Sequence, residues 1–169
     1  MPGMPTIEGK IRVLFVCLGN ICRSPAGEGL FIAHVSSAGH AEKFEIDSAG
    51  TGGWHAGELA DERMRKAASG RGVELLSRAR KVRVKDFEDF DLIVAMDREN
   101  LAHLQAMGRA RPGQLFLLSD LLAGGNWPVD VPDPYYGGPE GFERVLDMLG
   151  AAMPALLERA LAAGKTGES

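Results

Sequence analysis

The segment Val16-Cys17-Leu18-Gly19-Asn20-Ile21-Cys22-Arg23-Ser24-Pro25 constrains this chain more than any other stretch. The apolar run Val13 to Val16 leads into it and reads as a buried strand. Ala26 to His34 follows and reads as a helix. A cysteine therefore ends a strand, and an arginine and a serine open the next helix. Five residues separate Cys17 from Arg23, which makes one tight loop whose backbone N–H groups can converge on an anion. Gly19 is expected to let that loop fold sharply. Arg23 offers a planar fork for two phosphate oxygens, and Ser24 can donate a hydrogen bond toward the sulfur. These features favour the thiolate form of Cys17. A thiolate in a phosphate-shaped nest points to attack on phosphorus through a covalent phosphocysteine. A free cysteine more often packs as a small apolar residue. That alternative gives no reason for the glycine, arginine and serine at this spacing.

The remaining chain reads as alternating strands and helices. Strands are expected at Lys10 to Val16, Phe44 to Ser48, Leu92 to Met96 and Gln114 to Leu118. Helices are expected at Ala26 to Ser36, Asp61 to Gly70 with Asp61 as N-cap, Arg98 to Met107, and Gly141 to Leu161. Lys85 to Phe90 reads as a turn or short helix. Val73 to Val84 reads as irregular and basic, with Arg78, Arg80 and Arg83 as solvated charges. Asp97 and Asn100 read as capping residues. Alternation of this kind implies a doubly wound parallel sheet, with ligands beyond the carboxyl ends of its strands. Cys17, Ser48 and Asp97 fall at such ends.

Size and charge narrow the classes. At 169 residues and 45% hydrophobic content, the chain suits one domain, expected over residues 10–163. Residues 1–9 are expected to be a flexible lead without secretory character, and residues 164–169 a frayed tail. The net charge of -4, with no basic run interleaved with aromatics, argues against nucleic acid. No stretch has the length of a membrane span. Two cysteines in one loop do not make a disulfide scaffold, and a thiolate enzyme suits a reducing cytoplasm. No cofactor or metal is expected, because no histidine lies near Cys17 and Cys22 in sequence. Gly164-Lys165-Thr166 and Gly50-Thr51-Gly52 are near misses to nucleotide motifs, with Arg159 and His55 where glycines are required.

A second segment, Asp130-Val131-Pro132-Asp133-Pro134-Tyr135-Tyr136-Gly137, supplies what phosphoester cleavage still lacks. The leaving oxygen needs a proton, and Asp133 is a carboxyl stiffened by prolines on both sides. Tyr135 and Tyr136 are flat surfaces that can wall an aromatic leaving group. Trp54, in the glycine-rich loop after the second strand, is either another wall or an anchor for that loop.

Together these segments resemble the low-molecular-weight protein tyrosine phosphatase family. Cys17 to Pro25 matches its active-site signature, and Asp133-Pro134-Tyr135-Tyr136-Gly137 matches its acid loop. Asp47-Ser48-Ala49-Gly50, Asp86-Phe87 and Met96-Asp97 with Asn100-Leu101 also fall where the family has similar residues. The resemblance runs from about Lys10 to Leu161. It implies a flavodoxin-like α/β domain with a four-stranded parallel sheet flanked by helices. It implies Cys17 as nucleophile, Arg23 as phosphate ligand and Asp133 as general acid and then base. Leu18, Gly19, Asn20, Ile21, Cys22 and Ser24 would form the phosphate-binding loop, supported by Ser48. Ser77 stands where many members carry a histidine, and its shorter side chain must do the bridging. Trp54, Tyr135 and Tyr136 would line the pocket. Phosphotyrosine proteins or small aryl phosphates would be substrates, and inorganic phosphate a product. Cys22 is a candidate resolving thiol for an oxidised Cys17.

Three rivals are weaker. Arsenate reductases of this fold need further cysteines downstream, and none follows Cys22. Protein arginine phosphatases typically carry threonine where Ile21 stands. A phosphate-binding module without catalysis does not need Cys17, Arg23 and Asp133 together.

Overall fold

The computed structural model describes residues 9–135 and 137–167. Strands β1 (Ile11–Cys17), β2 (Phe44–Gly50), β3 (Leu92–Ala95) and β4 (Leu115–Leu117) form one sheet in the order β2-β1-β3-β4. All three pairings are parallel. Parallel neighbours need long crossovers. These run through α1 (Arg23–Ser37), then α2 (Glu62–Ser69) and α3 (Asp86–Asp89), then α4 (Arg98–Ala106). A final helix, α5 (Pro139–Gly167), closes the domain, and single-turn 3-10 helices occur at Ala41–Lys43 and Leu118–Leu121. The α/β class and the four-stranded parallel sheet are those expected.

Both faces of the sheet are covered, which is why its strands read as continuous apolar runs. Val13, Phe15 and Cys17 of β1 join the layer with α1 and α5 residues such as Phe31, Phe142 and Leu149. Leu14 and Val16 join the other layer, with Phe87, Phe90 and Leu104. Phe31 meets Phe15 and Phe44 edge to face, at centroid distances of 6.0 and 5.4 Å. Burial of each ring contributes about 1.5–3 kcal/mol. The chain leaves β1 toward β2 and later crosses back to β3. The crevice at this change of direction opens at the carboxyl ends of β1 and β3.

The boundaries differ from the sequence expectation in instructive ways. β1 includes Cys17, because that residue stays in register opposite Gly50 of β2, which itself runs on past Ser48. α1 begins at Arg23 rather than Ala26, since Pro25 is tolerated in a first turn that has no donor to lose. The expected tail from Gly164 is helical through Gly167. A Cβ at Gly164 would lie 2.6 Å from Ile11 Cδ1, so this last part of α5 is packed on the start of β1. Residues 1–8 of the expected lead, and residues 168–169, lie outside the described residues.

The basic segment is also not merely solvated. Arg80 reaches both Asp47 and Asp86 at 3.0 Å, and Arg83 reaches Asp86 at 3.0 Å. Arg78 donates to the Gly57 carbonyl at 2.9 Å. Burial alone would push the Asp86 carboxyl up, but hydrogen bonds from Arg80 and the Arg83 backbone outweigh it and hold Asp86 below the usual range. Gly50 N–H donates to the Arg80 carbonyl, and Val82 N–H to the Gly50 carbonyl, each at 2.8 Å. This segment is thereby tied to the end of β2, beside Cys17.

Candidate active site

The loop after β1 is shaped from within and from outside. Its one left-handed residue is Asn20, at φ +58°, not Gly19. Asparagine tolerates that conformation when its side chain is well bonded. Asn20 is buried; Nδ2 donates to Ser24 Oγ at 2.8 Å and to Ser48 Oγ at 3.0 Å. Its Oδ1 accepts the Arg80 N–H at 2.9 Å. At Gly19 a Cβ would lie 3.2 Å from the His55 ring, so any larger residue there must displace that ring by a few tenths of an ångström. Backbone carbonyls of Cys17, Leu18 and Ile21 accept N–H groups of Thr51, Gly52 and Asp61 at 2.8–2.9 Å. The Ser24 hydroxyl and Cys17 sulfur share a hydrogen bond of 3.0 Å.

Behind this loop sits a carboxylate that sequence reasoning missed. Glu28, buried on α1, accepts hydrogen bonds from Ser48 Oγ at 2.5 Å and Ser77 Oγ at 2.9 Å. Ser77 thus reaches Asn20 through Glu28 and Ser48, and its short side chain suffices. Burial pushes the Glu28 carboxyl above the usual range, while the Ser48 and Ser77 hydroxyls act in the opposite sense. A helical glutamate four residues after Ser24 carries no sequence signal of its own, because most such residues face water.

Arg23 opens α1, whose N-cap Cys22 supplies no side-chain cap. The helix therefore presents its first N–H groups and the positive end of its dipole to the cradle. Arg23 Nη1 donates to Asp97 Oδ2 at 2.6 Å and to the Val131 carbonyl at 3.1 Å. Asp97 and Asn100 cap α4 reciprocally, as expected, at 2.7 and 3.2 Å. The orientation of Arg23 is a further role of Asp97 that capping logic did not suggest. Arg23 Nη2 lies 3.8 Å from Asp133 Oδ2. Burial alone would lower the Arg23 pKa, but the negative charges of Cys17, Asp97 and Asp133 outweigh it and hold it above its ordinary value. Burial pushes the Cys22 thiol far up, with Asp61, Cys17 and Asp133 adding to the effect.

These groups enclose a cavity of about 330 Å³. Buried Cys17, Cys22 and Arg23 form its floor, and Leu18, Ile21, Trp54, His55 and Tyr135 its walls, with Asp133 at the edge. Trp54 is 69% exposed and lines this cavity, so it is a wall and not a buried anchor. A Cβ at Gly52 would lie 1.9 Å from the Trp54 ring, so the indole lies directly across that glycine. His55 faces Gly19 and meets Glu58 Oε1 at 3.1 Å. Tyr136 lies outside the described residues. Among the described residues no group of three or more His, Cys, Asp or Glu is placed to hold a metal, and no helix is long and apolar enough to cross a membrane.

An anion cradle at the carboxyl end of a central parallel strand, holding sulfur, a guanidinium and a carboxyl, defines the class of cysteine phosphatases. The model for low molecular weight phosphotyrosine protein phosphatases matches residues 12–166, and the chain belongs to that family. A low molecular weight protein-tyrosine-phosphatase of Streptomyces coelicolor is 46% identical over 154 residues, covering 86% of this chain and 91% of the relative. A crystal structure of a protein tyrosine phosphatase from Entamoeba histolytica, with Hepes in its active site, is similar with a TM-score of 0.85. It is 42% identical and covers 92% of this chain and 99% of that one. A Drosophila arginine phosphatase structure has a TM-score of 0.80 at 29% identity, covering 88% of this chain and 96% of that one.

Proposed function

We propose that this chain hydrolyses phosphotyrosine in proteins and related aryl phosphates, with Cys17 as nucleophile, Arg23 as phosphate ligand and Asp133 as proton donor. The observation that carries this reading is the convergence of these three side chains on one cavity. The Cys17 sulfur attacks phosphorus, the S–P bond forms, and the aryl O–P bond breaks. Asp133 gives its proton to the leaving phenolic oxygen. The Asp133 carboxylate then takes a proton from water, whose oxygen attacks phosphorus. The S–P bond breaks and inorganic phosphate leaves. With Arg23 Nη1 held by Asp97 and Val131, its Nε–Nη2 edge is left for two phosphate oxygens. Leu18, Gly19, Asn20, Ile21, Cys22 and Ser24 contribute the loop whose N–H groups stabilise the transferring phosphoryl group. The walls of Leu18, Ile21, Trp54 and Tyr135 favour an aryl ester over the N–P bond of phosphoarginine.

Two finer readings belong with this one. Both cysteines are free, which supports a reducing compartment such as the cytoplasm. With hydrogen peroxide as oxidant, Cys17 sulfenic acid and the Cys22 thiol would condense to a disulfide and water. The position of Cys22 on the same cavity floor supports that role, whereas its burial, which disfavours the thiolate, slows it.

The activity is tested with Cys17→Ser. A serine hydroxyl is not ionised at neutral pH, so p-nitrophenyl phosphate turnover is lost while inorganic phosphate still binds. Residual turnover above a few per cent of wild type, roughly the limit set by contaminating native enzyme, overturns the nucleophile assignment.

A further inference from the structure

Asp133 is held on its amino-terminal side by evident bonds. Val131 N–H donates to the Met96 carbonyl at 3.0 Å, and the Val131 carbonyl accepts from Arg23. On its carboxyl-terminal side the loop is exposed apart from Pro134, and Gly137 N–H donates locally, to the Pro134 carbonyl at 3.0 Å. A side chain from a different element, Arg63, also meets that side.

We propose that Arg63, at the start of α2, is a positioning residue that sets the Asp133 loop over the phosphate-binding loop. The connection can be followed atom by atom. Asp61 N–H donates to the carbonyl of Ile21, inside the phosphate-binding loop, at 2.8 Å. The Asp61 carboxylate then grips Arg63 in a two-pronged bond, Nε to Oδ1 at 3.0 Å and Nη2 to Oδ2 at 2.9 Å. It also caps the Arg63 backbone N–H at 2.8 Å. The guanidinium is thereby fixed in plane and direction. Its central carbon lies 5.3 Å from the centroid of the Tyr135 ring and 4.9 Å from that of Phe142. Both distances are in the range of attraction between a cation and an aromatic face. Tyr135 N–H donates to Asp133 Oδ1 at 3.1 Å. Phe142 is buried on the first turns of α5, in the core rather than in the loop. Arg63 therefore bridges Tyr135 to a core ring, and the Tyr135 N–H holds one oxygen of Asp133. The other Asp133 oxygen, Oδ2, is the one near Arg23.

This inference rests on Asp133 being the proton donor, and the experiment separates the two. Arg63→Met keeps the aliphatic stem but removes the donors and the charge. Turnover of phenyl phosphate, a poor leaving group, should fall by about tenfold, while p-nitrophenyl phosphate changes less than about twofold, since small misplacements of a reacting group are costly only where it acts. Arg63→Lys should restore part of the loss, because the cation over the rings returns without the fork. Amide hydrogen exchange at Tyr135 should accelerate in Arg63→Met, with exchange at Asn20 unchanged. Asp133→Asn is measured beside it on both esters. Faster exchange at Tyr135 together with an equal loss of both esters in Asp133→Asn would support the positioning role and overturn the proton-donor reading. Unchanged exchange at Tyr135, or equal loss of both esters in Arg63→Met while Asp133→Asn discriminates between them, would overturn the positioning role.

Discussion

From Cys17 to Ser24 every residue is buried except Leu18 and Gly19, whereas from Val129 to Gly137 only Val131 and Pro134 are buried among the described residues. The first loop is bonded on all sides: by Ser48 and Arg80 through Asn20, by Thr51, Gly52 and Asp61 through its carbonyls, and by Asp97 through Arg23. The second loop is tied at Val131, at Asp130 by an exposed pair with Arg98, and at Tyr135 by Arg63. The difference follows from what each must do. Charge develops on the transferring phosphoryl group, and donors aimed at it act best when they need no reorganisation. A proton donor must instead meet leaving groups of different shapes and let the product out.

The contrast can be broken first at Asp133. Asp133→Asn should reduce turnover of a poor leaving group by about 10²–10⁴-fold, and of an activated nitrophenyl ester far less. The thermal midpoint should stay put, because the Asp133 side chain is 42% exposed and supports little else. A loss of stability comparable to a core substitution would show the two loops to be equally structural.

Asn20→Ala should give the opposite pattern. It removes the amide donor to Ser24 and Ser48 and leaves the Arg80 N–H without its acceptor, at about 1–3 kcal/mol of stability. It also places alanine at a positive φ, at about 1–2 kcal/mol more. Turnover should fall by about tenfold or more, by the same factor for every aryl ester, because the cradle itself is displaced. Denaturant titration and a leaving-group series check both halves. A leaving-group-dependent loss would contradict the division of labour between the loops.

The smallest effect, and the one that sharpens the contrast, is the pH dependence of stability. Glu28 behind the first loop has a carboxyl raised by burial. Its contribution is present below the ordinary glutamate range and is lost as pH rises through its folded value. Asp130 under the second loop is lowered by hydrogen bonds and charge from Arg98. Its contribution is present above the ordinary aspartate range and is lost as pH falls through its folded value, and it is small because the pair is exposed. Glu28→Gln should therefore gain on wild type, in thermal midpoint, as pH rises from the ordinary carboxylate range toward neutrality. Asp130→Asn should lose on wild type over a lower window, as pH rises from below the depressed Asp130 value up to the ordinary aspartate range. Parallel curves for both variants would remove the assignment.

The sequence made one kind of information legible. Cys17, Arg23, Ser24 and Asp133 announce themselves because their meaning lies in local order: strand, loop, helix, and a carboxyl between prolines. The α/β alternation is likewise local, and so is the Asp61 cap. What stayed hidden is long-range pairing. Arg80 reads as a solvated cation because its partner Asp47 lies 33 residues away and is brought near only by the fold, while Asp86, six residues on, is reached across an irregular segment that periodicity does not register. The hold of Asp97 on Arg23 spans 74 residues. Glu28 gave no sign of burial from a helix that is otherwise unremarkable in sequence. The positive φ fell on Asn20 rather than Gly19, because three side-chain hydrogen bonds offset the strain there, while the Gly19 site is crowded by His55.

The bonds of Asn20 also set an order in time. Its partners Ser48 and Arg80 lie 28 and 60 residues downstream. The signature from Cys17 to Pro25 is translated before either partner, and the loop's full set of bonds waits for Arg80. Arg23 waits longer, for Asp97 and then for the Val131 carbonyl 108 residues away. The bonds that complete the cradle are thus available only well after its motif has been translated, and Asp133 and the start of α5 come later again. The nascent chain carries Cys17 well before the groups that complete its cradle and the carboxyl proposed as its proton donor, and enzymatic activity becomes a report that folding has taken in Asp133.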